Sequence, residues 1–119
     1  MAASSAGGPE SAVGEPERLA GGKLLLDRPA DAVARLRIAN PGRRNALDHE
    51  ILGAIAATLP RLDEGIVTRC VLITGTPPVF SAGDDIAEVT EEAFEREAEA
   101  LVGHRFRAAM EAIVAHPWP

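Results

Sequence analysis

The run Cys-Val-Leu-Ile-Thr at residues 70–74, closed by Gly75, most narrows what this chain can become. It carries no charge, and Val71, Ile73 and Thr74 are β-branched, which suits a strand and is too short for an independent helix. Its lack of polar alternation predicts a strand covered on both faces, of the kind found in the middle of an α/β sheet. Such a strand needs hydrogen-bonding neighbours at its edges and apolar cover above and below.

Candidates for both stand upstream and downstream. "KLLLDRP" predicts a short strand ended by Pro29, and "AVARLRIAN" predicts a second, the two joined as a hairpin around Pro29, Ala30 and Asp31. Asp48 stands at an N-cap position with Glu50 in the first turn, and Ile51, Leu52, Ile55, Leu59 and Leu62 follow at helical spacing. Pro60 predicts a kink or break in that helix. After the strand, Thr90 is placed to cap a long helix with Phe94, Ala98, Leu101, Val102, Phe106, Met110, Ile113 and Val114 as its buried stripe and Pro117 as its stop. The predicted order is β-β-α-β-α, an α/β chain of one small domain in 119 residues. Residues 1–22, rich in Ala, Ser, Gly, Pro and Glu, are expected to be a disordered tail.

Charge and composition remove several function classes. The formal net charge is −6 and the 12 Lys and Arg residues are scattered, which argues against an extended nucleic-acid footprint. No apolar run approaches the roughly 20 residues of a membrane span. Cys70 is the single cysteine, so no intrachain disulfide can form. With no secretory signal pattern at the N-terminus, a cytoplasmic protein is the expectation.

The loop after the apolar strand, "PPVFSAGDDI" at residues 77–86, carries the chemistry. A rigid strand followed by a glycine-containing turn can present backbone amides outward, the arrangement that stabilises an oxyanion. A nucleophilic Ser81 fits less well, since Val79 stands where a nucleophile elbow has its first glycine and no aspartate follows Asp85 to complete a triad. No Lys-Ser or Lys-Thr pair follows the glycines, which disfavours a phosphate loop. Asp84, Asp85 and Glu88 read more simply as a solvated acidic cluster at a helix start than as cation ligands, and His49, His104 and His116 have no ligand spacing, so no metal is expected. Arg43 and Arg44, just before a helix start, are placed to meet a phosphate.

Taken together, "IANPGRRNALDHEIL", "VLITGTPPVFSAGDDIAEV" and the closing "AHPWP" resemble the enoyl-CoA hydratase/isomerase family, the crotonase superfamily, over residues 23–119. The resemblance implies a partial crotonase (ClpP-like) fold, the N-terminal portion of the domain without its later ββα units. It implies binding of an acyl-CoA thioester, with coenzyme A entering as part of the substrate and no separate cofactor. The thioester oxyanion would be held between two main-chain amides, the first being that of Asp84. Arg43, Arg44, Ala46, Ala82, Asp84, Asp85, Ile86 and Ala87 would border the substrate. Asp84 departs from the small or apolar residue commoner at its position, and Ala87 falls where many members carry a lysine. The second oxyanion donor and the catalytic glutamates of the family would lie beyond Pro119. Two readings follow: an enoyl-CoA hydratase type of enzyme whose relatives assemble as trimers or hexamers, and a non-catalytic fragment that at most binds CoA or joins intact relatives.

Overall fold

A computed structural model describes residues 14–63, 67–83, 85 and 103–119. Four strands, β1 (Glu17–Leu19), β2 (Leu24–Ala30), β3 (Val33–Ile38) and β4 (Cys70–Gly75), form one sheet in the order β1-β2-β3-β4. Two helices, α1 (His49–Asp63) and α2 (His104–Ala115), join them, with short 3-10 turns at Ala20–Gly22 and Pro41–Arg43. β1 pairs with β2 and β2 with β3 antiparallel, whereas β4 runs parallel to β3. The crossover that a parallel pair requires is supplied by α1.

The alternation in β3 shows how the sequence builds this layer. Ala34, Leu36 and Ile38 are buried, while Val33, Arg35 and Arg37 between them point to the other face. Leu36 lies opposite Leu26 on one side and Ile73 on the other, and Ile51, Leu52, Ile55 and Leu59 of α1 close over the same face with Ala109 of α2. Leu36 is fully buried in this cluster, so Leu36→Ala is expected to cost about 3 kcal/mol of stability, read by equilibrium denaturation. On the outer face Asp27 sits in register with Arg35 and accepts a two-pronged hydrogen bond from its guanidinium, at 2.9 and 2.5 Å.

The start of α1 is as its sequence predicts. Asp48 Oδ1 accepts from the Ile51 amide at 2.8 Å, and its second carboxylate oxygen accepts from the Lys23 ammonium at 2.5 Å. Lys23 also reaches Glu50, and these two bonds, that to Asp48 first, push the ammonium pKa above its ordinary value. β2 is thereby tied to the first turn of the helix.

Several expectations are corrected. Residues 17–22, assigned by composition to a disordered tail, pair as β1 and then turn: three backbone partners (Glu17 with Leu26, Arg18 with Leu25, Leu19 with Leu24) and packing of Leu19 on the core order a segment whose composition looks tail-like. Residues 1–13 lie outside the described residues. Pro29 does not end β2, which continues to Ala30 across a register irregularity between Asp27 and Ala30; a bulge is where a strand tolerates proline. α1 runs on through Pro60, which sits exposed in its last turn.

β4 is at the edge of the described sheet rather than in its middle. Val71 and Ile73 pack on the core, but Leu72, facing outward beside Arg35, is 42 % exposed. Beyond β4, the Val71 amide donates to the Pro119 carbonyl at 2.8 Å, and Arg69 stacks over Trp118 at 4.8 Å from the ring centre. The chain after α2 therefore returns to the start of β4. The long helix expected from Thr90 is described only from His104 onward, and it ends at an extended His116 before Pro117 as predicted. No helix among the described residues is long and apolar enough to cross a membrane.

Candidate functional site

The site is assembled from the loop after β3 and the loop after β4, which leave the same end of a parallel strand pair. The first closes on itself. Pro41 opens a single 3-10 turn, Arg44 and Asn45 follow with φ of 55° and 57°, and the Asn45 amide donates back to the Asn40 carbonyl at 2.8 Å. Asn40 answers by donating its amide to Asn45 Oδ1 at 2.9 Å and its side-chain Nδ2 to the Ala46 carbonyl at 3.0 Å. Asparagine tolerates the left-handed conformation better than most residues, which is why the turn can be this tight.

Asn45 then joins the two loops. Its Nδ2 donates to the carbonyls of Thr76 and Val79, at 2.8 and 2.6 Å, and its own carbonyl accepts from the Ser81 hydroxyl at 2.7 Å. Ser81 Oγ in turn accepts from the Gly83 amide at 3.0 Å, so this hydroxyl is occupied in holding the loop together. Gly83 has a φ of 97°, a conformation that glycine adopts without penalty.

From there the two segments zip along their backbones. The Ala82 amide donates to the Arg44 carbonyl at 3.0 Å, the Leu47 amide to the Gly83 carbonyl at 2.7 Å, and the Asp85 amide to the Leu47 carbonyl at 2.9 Å. Both neighbours of Asp84 are thus fixed to one residue, Leu47. Arg43 completes the seam with a fork onto Asp85, Nε to Oδ2 at 3.0 Å and Nη2 to Oδ1 at 2.7 Å.

The residues marked out in the sequence distribute as follows. Arg43 meets Asp85, and Arg44 meets Ala82 through backbone atoms. Ala46 is buried, with only 6 % of its surface exposed, and contributes through its carbonyl. The exposed Arg44 lines a cavity of about 270 Å³ with Pro41, Asn45, Thr76, Pro77, Pro78 and Val79. Asp84, Ile86 and Ala87 lie outside the described residues. The residue that sequence reasoning passed over is Asn45; the available signal was an asparagine in a turn, a residue type that both accepts positive φ and hydrogen-bonds nearby backbone. Among the described residues, no group of three or more His, Cys, Asp or Glu side chains is gathered as a metal site would require.

Comparison with known proteins places this geometry. The profile of the family described as "Enoyl-CoA hydratase/isomerase" matches residues 28–119. The mouse protein named "Enoyl-CoA hydratase domain-containing protein 3, mitochondrial" is 30 % identical over 112 residues, 94 % of this chain and 35 % of its own length. Among solved structures, PA4980 of Pseudomonas aeruginosa superposes with a TM-score of 0.69 at 30 % identity, over 82 % of this chain and 41 % of that one. An enoyl-CoA hydratase/isomerase family protein from Hyphomonas neptunium gives 0.67 at 31 % identity, over 82 % and 37 %. The chain therefore spans little more than a third of the length of these relatives, and with its β-β-β-α-β-α order and zipped loop pair it belongs to the enoyl-CoA hydratase/isomerase family.

Proposed function

We propose that this chain provides the acyl-CoA-facing first half of a crotonase-type site, in which the main-chain amide of Asp84 donates to the oxygen of a thioester as negative charge develops there. The observation that carries the proposal is the double attachment at Leu47, which holds the Gly83 carbonyl and the Asp85 amide on either side of that amide. A donor held before the reaction begins needs no reorganisation when charge appears, which is the source of oxyanion-hole catalysis. Arg44, exposed beside the 270 Å³ cavity, is the cation proposed to meet the phosphates of coenzyme A.

The reaction proposed is addition of water to a trans-2-enoyl-CoA. The second amide donor and the acid and base for that step are proposed to come from residues outside 1–119, within the same polypeptide or from an associated one, in a trimeric or hexameric assembly. On the alternative reading the chain binds a CoA thioester without turning it over.

Substitution at Asp84 tests the assignment in the protein that carries the complete site. Asp84→Pro removes the amide hydrogen and is expected to lower turnover of a short trans-2-enoyl-CoA roughly 100- to 1,000-fold. Asp84→Ala keeps the amide and removes a carboxylate that opposes developing negative charge, so its turnover is expected to equal or exceed the parent's. Equal losses in the two variants would assign the effect to the side chain and end the amide reading. Parent protein that binds the thioester without consuming it would establish the alternative.

A further inference from the structure

Asp85 is tied to the first loop at two points: its amide to Leu47 and its carboxylate to Arg43, 42 positions away in sequence. The carboxylate is only 7 % exposed, whereas the Arg43 side chain is 49 % exposed. A carboxylate taken that far from water requires a partner that matches both oxygens, and a guanidinium fork does so while fixing the plane of the group. The two attachments differ in kind. The Leu47 bonds are backbone and use no side chain of their own, whereas the Arg43 fork braces residue 85 against that seam and favours its closed state.

We infer that Arg43 and Asp85 are a positioning pair: the ion pair sets the orientation of the 81–85 loop against the 43–47 segment, and Arg43 acts on the reaction through Asp85 rather than by holding the substrate. The inference rests on the acyl-CoA reading of the loop for its effect on turnover but not for its structural content. It also divides the work of the Arg-Arg pair, since adjacent residues of one tight turn send one guanidinium to the loop and leave the other at the cavity. A lysine at position 43 would keep the charge and lose the two-point geometry.

Two measurements on Arg43→Met, Arg43→Lys, Asp85→Asn and the double variant Arg43→Met/Asp85→Asn decide it. The first is backbone amide hydrogen exchange, which needs no ligand. Each single variant is expected to speed exchange at Leu47, Ala82 and Asp85 about tenfold or more, with the core amides of Leu36 and Ile55 unchanged. The double variant should do less than the sum of the two singles, because both substitutions break the same fork. Uniform acceleration including the core, or none at the loop, would overturn the positioning role. The second is steady-state turnover of an enoyl-CoA by the protein with the complete site, where kcat is expected to fall about tenfold in Arg43→Met at nearly unchanged KM, and Arg43→Lys to recover little of it. A raised KM with unchanged kcat would overturn the inference by making Arg43 a substrate contact. Parent protein without turnover would fail the acyl-CoA reading while the exchange data still judge the pair.

Discussion

Asn45→Ala is expected to destabilise the protein by about 3 to 5 kcal/mol, the sum of three part-buried hydrogen bonds lost at once and a backbone held at positive φ. Asn45 is 2 % exposed and its amide group serves three main-chain atoms: it donates to Thr76 and Val79 and accepts from Asn40. Alanine cannot replace any of these, and the carbonyls and amide left behind are part-buried, so each loss carries some desolvation penalty as well as the bond itself. Alanine would also hold a φ of 57° less willingly than asparagine. Two companions separate the contributions. Asn45→Gly relieves the backbone cost of roughly 1 to 2 kcal/mol but none of the hydrogen-bond loss, so it should lie between parent and alanine and close to the latter. Asn45→Asp retains an acceptor for Asn40 but turns an oxygen toward two carbonyls, so it should be no better than alanine near neutral pH. Chemical denaturation reads all three. A loss below about 1 kcal/mol in Asn45→Ala would mean that the two loops are joined by their backbone bonds alone.

How much of this was legible beforehand depended on distance along the chain. The N-cap at Asp48 and the spacing of Ile51, Leu52, Ile55 and Leu59 are local signals, and α1 follows from them. The apolar run at 70–74 predicted a strand because β-branched residues say so locally; whether that strand is central depends on which segments reach its edges, and the run itself holds no such information. β1 escaped notice for the same reason, being three residues whose order comes from Leu24, Leu25 and Leu26 opposite them. In the site, the motif resemblance located the loop at 77–86, and the glycine at 83 indicated where backbone would be presented. The joining role of Asn45 could not be read, since its partners at Thr76 and Val79 are 31 and 34 residues away. The fork between Arg43 and Asp85 was hidden likewise: each residue was marked out singly, as a substrate neighbour, and only the fold shows that they face one another.

Gly75→Ala is expected to cost about 3 kcal/mol or more, through overpacking rather than lost bonds. Gly75 closes β4 opposite Ile38, and the chain that leaves it doubles back so that Phe80 passes directly over its α-carbon. A β-carbon at position 75 would fall 2.1 Å from the Phe80 carbonyl oxygen and 2.7 Å from its carbonyl carbon and α-carbon. All three are main-chain atoms, so no side-chain rotation relieves the clash; either β4 shifts against β3 or the loop lifts away. The strand is the more expensive to move, because Thr76 donates both its amide and its hydroxyl to the Ile38 carbonyl and the core residues Leu36 and Ile38 lie alongside. The loop should therefore yield, and with it the bonds from Asn45 to Val79 and from Ser81 to Asn45. This predicts a signature distinct from that of a core substitution such as Leu36→Ala. Gly75→Ala should disorder residues 79–85 while the amides of β2, β3 and α1 keep most of their protection in hydrogen exchange, and in the protein with the complete site it should abolish turnover before it unfolds the domain. A Gly75→Ala protein with parental stability and parental turnover would show that the close approach of Phe80 is not maintained in solution.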